Sequence, residues 1–247
     1  PAEWEPHEAV WLSWPHNQRT FPHIAEVENA YYAFIRAVHV SERIELFVPT
    51  AVIHRIVRAR LRELKVDLSR VILHTSEYAD IWIRDYGPTF VVNRVLEKTA
   101  VVRWNFNAWG NKYEDQIHDG KIPHTMNRRL CLPMFEPAIV LEGGSIDVNG
   151  QWTLLTTRAC LLNPNRNPTL SADQIEDKLK EYLGIEKVIW LNDGVVGDDT
   201  DGHIDDIARF VGPSTVVCAY ETDITDANYP ALHDNYEILR QSSDQDG

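Results

Sequence analysis

The segment Thr200-Asp201-Gly202-His203-Ile204-Asp205-Asp206 comes directly before the apolar run Ile207–Val211. Earlier in the chain, Ala79-Asp80-Ile81-Trp82-Ile83-Arg84-Asp85 comes shortly before the apolar run Thr89–Asn93. In both places a polar, acid-rich loop delivers side chains just before a buried strand. A pattern that returns in this way predicts ββαβ-like units around an axis, with their polar loops at one end.

Short apolar runs and helical patterns alternate along the rest of the chain. Strands are predicted at Ala9–Trp14, Ile44–Val48, Val71–His74, Thr89–Asn93, Ala100–Trp104, Trp152–Thr156, Lys187–Leu191, Ile207–Val211 and Thr215–Tyr220. Helices are predicted at His23–Val38, Ala51–Leu64, Ser171–Leu183 and Ala231–Gln241. The third is the clearest, since Ser171 with Gln174 predicts a capping box and Gly184 a stop. Many strands with fewer helices predict an α/β or α+β body. No low-complexity linker divides residues 1–247, so we expect a single catalytic domain.

Composition narrows the class of protein. The chain has 247 residues, 44% of them hydrophobic, and a net charge of −13. It has no apolar run of the roughly 20 residues that a membrane span needs and no signal pattern at its start, which predicts a cytoplasmic protein. Nucleic acid is not an expected partner, because phosphate binding needs clustered Lys and Arg. The acidic field would attract a cationic small molecule, and a homo-oligomer stays open.

The three cysteines are too few and too irregularly spaced for a framework. Cys131, Cys160 and Cys218 lack C-x-x-C spacing, so neither a disulfide network nor a thiolate zinc site is predicted. Each lies in or beside an apolar stretch, which predicts a small buried side chain at all three positions.

The first candidate site is the segment Trp82-Ile83-Arg84-Asp85-Tyr86-Gly87-Pro88. An indole face and a carboxylate together suit a planar cation, which stacks on the ring and hydrogen-bonds at its edge. The alternative is a core Trp82 beside an internal ion pair of Arg84 and Asp85.

The second candidate is Leu141-Glu142-Gly143-Gly144-Ser145-Ile146-Asp147. Glycines next to Glu142 allow a ligand or another backbone segment to approach the carboxylate closely. The alternative is a tight hairpin turn in which Glu142 is exposed.

The third candidate is the run from Asp198 to Asp206, with five aspartates and His203 within nine residues. If the run is extended, His203 and Asp205 point to the same face, because side chains alternate along a strand. Three interpretations follow: a divalent-metal site, a general-base histidine beside a substrate-binding aspartate, or a solvated acidic loop.

Six ordered motifs together resemble the agmatine deiminase branch of the guanidine-modifying, or pentein, superfamily, which includes the Porphyromonas-type peptidylarginine deiminases. The motifs are Pro1-Ala2-Glu3-Trp4-Glu5-Pro6-His7, Trp82-x-Arg84-Asp85-x-Gly87-Pro88-Thr89-Phe90, Trp104-Asn105-Phe106-Asn107-Ala108-Trp109-Gly110, Leu141-Glu142-Gly143-Gly144-Ser145-Ile146, Cys160-Leu161-Leu162-Asn163-x-Asn165-Arg166-Asn167-Pro168 and Gly202-His203-Ile204-Asp205. They cover nearly the whole chain.

The resemblance implies a five-bladed, pseudo-symmetric α/β propeller with the active site on its axis. It also implies hydrolysis of a guanidinium to a ureido group and ammonia, without metal or other cofactor. Site roles carry over by position: Asp85 and Asp205 would bind the guanidinium, Glu142 would orient His203 as general acid and base, and Trp82 would line the substrate channel.

One departure from the family pattern concerns the nucleophile. The family uses a cysteine in a late Gly-Gly-Gly-Asn-x-His-Cys segment, and these 247 residues contain no such segment. Cys160 matches a family position that is not the nucleophile. We therefore expect the last blade to be absent from this chain and the catalytic domain to be incomplete at its C-terminal side.

The substrate we expect is agmatine, converted to N-carbamoylputrescine and ammonia in polyamine synthesis, and Asp199 or Asp198 could bind its distal ammonium. The alternative within the class is an arginine side chain in a protein. Two further classes stay open, a divalent-metal hydrolase built on His203 and the aspartates, and a non-catalytic binding module.

Overall fold

The computed structural model describes residues Pro1–Gly247, which form two compact units. The smaller unit is Pro6–Ile83, and the larger one combines Pro1–Glu5 with Arg84–Gly247. The α-helices are α1 (Ile24–Val38), α2 (Ala51–Glu63), α3 (Ile83–Tyr86), α4 (Ala108–Asn111), α5 (Ile122–Leu130), α6 (Arg158–Leu161), α7 (Ala172–Leu183) and α8 (Tyr229–Gln241). The strands are β1 (Ala9–Ser13), β2 (Arg43–Val48), β3 (Val71–Thr75), β4 (Thr89–Asn93), β5 (Lys98–Val102), β6 (Met134–Phe135), β7 (Asp147–Val148), β8 (Thr153–Thr157), β9 (Lys187–Leu191), β10 (Ala208–Gly212) and β11 (Thr215–Cys218). Short 3-10 helices occupy Glu114–Lys121, Gly143–Ser145 and Ile204–Asp206.

The smaller unit is a parallel sheet in the order β1-β2-β3, with α1 and α2 as the crossover helices. Ile44, Leu46 and Val48 alternate along β2 and share one fully buried core cluster with residues of both helices. Thr50 caps α2, since its side chain accepts a hydrogen bond from the Ile53 amide at 3.2 Å. Periodicity and capping therefore act together to form this unit.

The larger unit repeats one arrangement of strands. Strand β4 pairs antiparallel with β5, and after α5 the chain returns as β6, parallel to β5. Strands β7, β8 and β9, with α7 before β9, repeat the same pairing. Strands β10 and β11 form a two-stranded antiparallel sheet that α8 follows. The predicted ββαβ unit therefore occurs twice in full, and the chain is an α/β protein with four sheets.

The clearest sequence patterns predicted the bounds of their strands and helices correctly. Strands β4 and β9 have the predicted bounds, and the predicted capping box of Ser171 and Gln174 begins α7. Gly184 ends α7 in the left-handed conformation, at φ 66°. Helix α5 was not predicted, because its stretch is mostly polar and carries Pro123 at the start. Strands β6 and β7 have only two residues each, too few for a periodic pattern.

The expectation of three buried cysteines is wrong for two of them. Cys160 is buried, whereas Cys131 is exposed and Cys218 is partly exposed. Cys131 ends α5 with a left-handed φ of 54°, a surface position, and Cys218 lies on β11 in a two-stranded sheet. Apolar neighbours in sequence do not bury a residue at an element's end.

No helix of this structure combines the length and the apolar character that a membrane span requires. The expectation of one catalytic domain over residues 1–247 stays a prediction.

Candidate active site

Three short helical turns position the candidate residues, and each comes directly before the first strand of a hairpin. Helix α3 precedes β4, the turn Gly143–Ser145 precedes β7, and the turn Ile204–Asp206 precedes β10. The first and third are the two segments whose similarity the sequence revealed. The second, at Leu141–Asp147, is a further turn of the same kind. Its similarity to the other two was not recognised in the sequence because it contains two glycines. Equivalent places in repeated units bring their side chains to one locality.

His203 lies between three carboxylates. Its Nδ1 is 3.5 Å from Oδ1 of Asp85 and 3.8 Å from Oδ1 of Asp205, and its Nε2 is 3.7 Å from Oε2 of Glu142. The four candidate residues are thus brought together. The premise of an extended run is wrong, because residues Ile204–Asp206 form a 3-10 turn.

Asp85 is held by two neutral donors. The Trp109 indole Nε1 donates to Oδ2 at 3.0 Å, and the Gly144 amide donates to Oδ1 at 3.0 Å. Asp85 is only 9% exposed, and it has no ion pair with a lysine or arginine. Trp109 was quoted only as part of a motif, and its contact was missed, since 24 residues separate it from Asp85.

The charged groups approach Gly144 so closely that a side chain at this residue would find no room between them. A Cβ atom there would lie 2.6 Å from Nδ1 of His203, 2.7 Å from Oδ2 of Asp205 and 2.7 Å from Oδ1 of Asp85. Gly143 serves a different purpose, because a Cβ at that residue would overlap the Arg84 carbonyl oxygen. Each of the two positions in this turn therefore requires glycine for a different steric reason.

Glu142 is completely buried and is paired with Arg166. The Nε of Arg166 donates to Oε1 of Glu142 at 2.8 Å, and both side chains are fully buried. The other carboxylate oxygen faces His203, and neither that oxygen nor Nε2 of His203 has a hydrogen-bond partner. The alternative of a hairpin with an exposed Glu142 is therefore wrong. Arg166 was missed, because the asparagines and prolines around it are typical of a surface loop.

Burial and mutual charge shift the acid–base properties of the group. Burial disfavours the charged form of His203, but Cys160, Glu142 and Asp85 outweigh it and raise its pKa to about 11. Burial raises the pKa of Asp85, although the nearby His203 opposes this. Burial and the neighbouring Asp85 raise the pKa of Asp205 to about 6 against the opposing effect of His203. The imidazole is therefore the cation of this group at neutral pH.

The metal hypothesis was built on His203 and the aspartates, two of which take other partners. Both oxygens of Asp198 accept hydrogen bonds from residues 200–202, and Asp201 pairs with Lys112 and Arg166. The set of possible metal ligands is instead Glu142, Cys160 and His203, whose ligand atoms lie within 4.8 Å of one another. The buried guanidinium bonded to Glu142 opposes a second cation there.

The other two predicted substrate residues, Asp199 and Trp82, are exposed. Asp199 is exposed, and its Oδ2 accepts a hydrogen bond from the Tyr113 hydroxyl at 2.6 Å. Trp82 belongs to the smaller unit, where it is 38% exposed and its ring lies 6.1 Å from that of Phe21. Its role at a substrate channel stays a prediction.

Known proteins resemble the chain in sequence and in fold. The family model of the Porphyromonas-type peptidyl-arginine deiminases matches residues 1–247. An agmatine deiminase of Medicago truncatula is 39% identical over 260 residues, with all of this chain and 68% of the relative covered. An agmatine deiminase of Pseudomonas syringae pv. tomato is 38% identical over 255 residues, and 67% of its length is covered.

A solved structure agrees with these relatives. The agmatine deiminase of Enterococcus faecalis superposes with a TM-score of 0.91 at 34% identity, over 100% of this chain and 67% of that one. The structural match spans both units of the chain. The chain belongs to the Porphyromonas-type peptidyl-arginine deiminase family.

Proposed function

We propose that the protein is an agmatine deiminase, a hydrolase that converts agmatine and water into N-carbamoylputrescine and ammonia. The observation that carries the proposal is the convergence of Asp85, Asp205 and Nδ1 of His203 next to Gly144. A guanidinium is flat and always charged, so its N–H groups suit two neighbouring carboxylates that have no lysine or arginine partner.

Substrate binding would use the two aspartates as hydrogen-bond acceptors. Trp109 and the Gly144 amide already orient the Asp85 carboxylate, so little ordering remains when the substrate arrives. Asp205 is 22% exposed, so a ligand can reach its carboxylate from solvent. Two carboxylates on different turns would fix both the position and the plane of the guanidinium.

Proton transfer would begin with donation from His203, because its raised pKa keeps the imidazole protonated. A thiolate adds to the guanidinium carbon, the C–N bond breaks, and the departing nitrogen takes the proton from His203 and leaves as ammonia. The now neutral imidazole removes a proton from water, and the hydroxide attacks the thiouronium carbon. The adduct then loses its hydroxyl proton to solvent as the C–S bond breaks, which releases the thiolate and the ureido product. Glu142 would stabilise the imidazolium at each stage.

The nucleophile would be a cysteine outside these 247 residues. We propose that the four sheets belong to a five-bladed propeller in which a fifth blade carries the thiolate. The support is that the ββαβ unit repeats within the chain and that relatives exceed the chain in length. Cys160 is not proposed, since burial raises the pKa of its thiol and it lies on the Glu142 side of the imidazole.

The distal ammonium of agmatine would bind Asp199. The Tyr113 hydroxyl fixes one oxygen of this exposed carboxylate, which leaves the other for a cation. Asp198 is a weaker candidate than the sequence suggested, since Thr200 and Gly202 use both of its oxygens.

The test is ureido-product formation by the complete protein, offered agmatine, free arginine and a blocked arginine peptide. We expect agmatine to give the highest kcat/KM and the activity to survive a chelator. Preference for the peptide would move the function to protein citrullination, loss of activity with the chelator would favour a metal hydrolase, and no product from any of the three would favour a binding module.

A further inference from the structure

We infer that Arg166 is a positioning residue that holds Glu142 and the His203 loop in register, an inference that rests on the proposed function. Its side chain is fully buried. Each nitrogen of its guanidinium has a protein acceptor: Nε donates to Glu142, Nη1 to Asp201 and to Asn165, and Nη2 to the Thr200 carbonyl.

The first arm of the guanidinium sets the Glu142 carboxylate. Nε binds Oε1 at 2.8 Å, so the remaining oxygen is directed toward Nε2 of His203, 3.7 Å away. A planar guanidinium holds a carboxylate in one orientation, whereas a lysine ammonium acts as a point charge. The direction from which Glu142 meets the imidazole is therefore set by Arg166.

The second arm sets the loop that carries His203. Nη1 binds Oδ2 of Asp201 at 2.7 Å, and Nη2 binds the Thr200 carbonyl at 3.0 Å. The Thr200 hydroxyl in turn accepts a hydrogen bond from the His203 amide at 3.1 Å. The Arg166 guanidinium thus connects the Glu142 carboxylate to the backbone of the loop that carries His203.

The surrounding structure makes room for Arg166. A Cβ at Gly110 would lie 2.8 Å from Nη1 of Arg166 and would overlap the Asn165 side chain. The φ of Gly110 is +82°, a backbone conformation that residues with a side chain rarely adopt. Lys112 of the same loop binds the other oxygen of Asp201 at 2.6 Å. Gly110 thus leaves the room that the Arg166 side chain needs, and Lys112 helps to hold the Asp201 carboxylate that Arg166 binds.

Because Arg166 has an acceptor for every nitrogen, we expect it to act on turnover and not on substrate binding. In the complete protein, Arg166→Lys should lower kcat about 10- to 100-fold, the range for a lost charge-assisted hydrogen bond, and change KM less than about two-fold. The matched control is Arg103→Lys, since Arg103 also joins a carbonyl, that of Gly120, to a carboxylate, that of Glu136, away from His203.

The decisive measurement is a double-mutant cycle with Glu142→Gln. If Arg166 acts through Glu142, Arg166→Lys costs less than about three-fold in kcat in the Glu142→Gln protein. Equal losses in both backgrounds, a change confined to KM, or an unchanged kcat would each overturn the inference. Asp201→Asn, which weakens the second arm and leaves the bond between Arg166 and Glu142 in place, replaces Arg166→Lys if that variant does not fold. A kcat equal to wild type would then overturn the inference.

Failure of the proposed function is separable from failure of this inference. If the wild-type protein makes no ureido product, the function fails and NMR titration of the His203 imidazole in the 247-residue chain replaces the kinetic test. Arg166→Lys should move that titration to lower pH, because a carboxylate no longer held beside Nε2 stabilises the imidazolium less. A titration unchanged from wild type would overturn the inference there too.

Discussion

The two sides of the His203 imidazole use the same chemical group in opposite ways. On the Nδ1 side, Asp85 and Asp205 meet no lysine or arginine within ion-pair distance. On the Nε2 side, Glu142 is bonded to the buried Arg166. A carboxylate bonded to a buried arginine contributes to positioning, whereas Asp85 and Asp205 face only the imidazole and can also accept hydrogen bonds from a ligand. Under the proposed function, this difference predicts that the substrate binds on the Nδ1 side.

The largest effect should come from removing the groups at the centre of this comparison. His203→Ala and Asp85→Ala should each lower kcat/KM by about three orders of magnitude or more, because each loses an interaction with developing or fixed charge worth several kcal/mol. Ureido-product assays measure the loss, and circular dichroism melting checks that the fold persists. Activity near wild type in either folded variant would remove the site assignment.

Adding a side chain at Gly144, on the Nδ1 side, should have the next largest effect. Gly144→Ala should reduce agmatine binding about 100-fold, because the new methyl group would stand within 2.7 Å of Asp85 and Asp205. Isothermal titration calorimetry measures the affinity. Gly212→Ala is the control, since its Cβ would make only an ordinary 3.6 Å contact with Thr215. Unchanged affinity in Gly144→Ala would place the ligand elsewhere.

A smaller effect should separate the two ends of the substrate. Asp199→Asn should lower kcat/KM for agmatine by up to about five-fold, since an exposed ion pair contributes at most about 1 kcal/mol. It should leave n-butylguanidine unaffected because that compound lacks the distal ammonium. Steady-state kinetics with both compounds measure the ratio. Equal losses for the two would exclude contact between Asp199 and the ammonium.

The smallest effect concerns stability and tests the charge on the Nδ1 side. Burial raises the pKa of Asp205 to about 6 from an ordinary 3.8, so the folded protein holds the proton more tightly than the unfolded chain. Ionised Asp205 therefore costs stability, and this cost grows as pH rises from about 4 to about 6.

Asp205→Asn should accordingly raise the free energy of unfolding at pH 7.5 by on the order of 1 kcal/mol. The gain should shrink toward pH 4.5, where Asp205 is mostly protonated in the folded protein. Urea denaturation at the two pH values measures the difference. A variant less stable than wild type at pH 7.5 would contradict an unfavourable charge at this position.

Periodic and capping signals predicted the regular elements because these depend on neighbours a few residues apart. The predicted helix Ser171–Leu183 has its capping box and its Gly184 stop in place, since both are local contacts. Helix α5 had no such signal. Its polar stretch is held by packing of Ile122 and Met126, which only the folded chain supplies.

The candidate residues could be named from sequence, but their relations could not. Asp85, Glu142, His203 and Asp205 were singled out from acid-rich or glycine-flanked turns and from a family resemblance, and the structure brings all four together. Arg166 and Trp109 were not singled out. Their partners lie 24 residues away in each case, and no local pattern encodes such a contact.

By itself, the sequence determined the composition of the site: acidic turns before apolar strands, a histidine among aspartates, and glycines beside Glu142. Only the tertiary structure decided which carboxylate is paired with an arginine and which is left for a ligand. The balance between a buried charge and its counter-charge depends on distances of a few ångströms. Packing of the repeated units sets those distances. The order of residues along the chain does not set them.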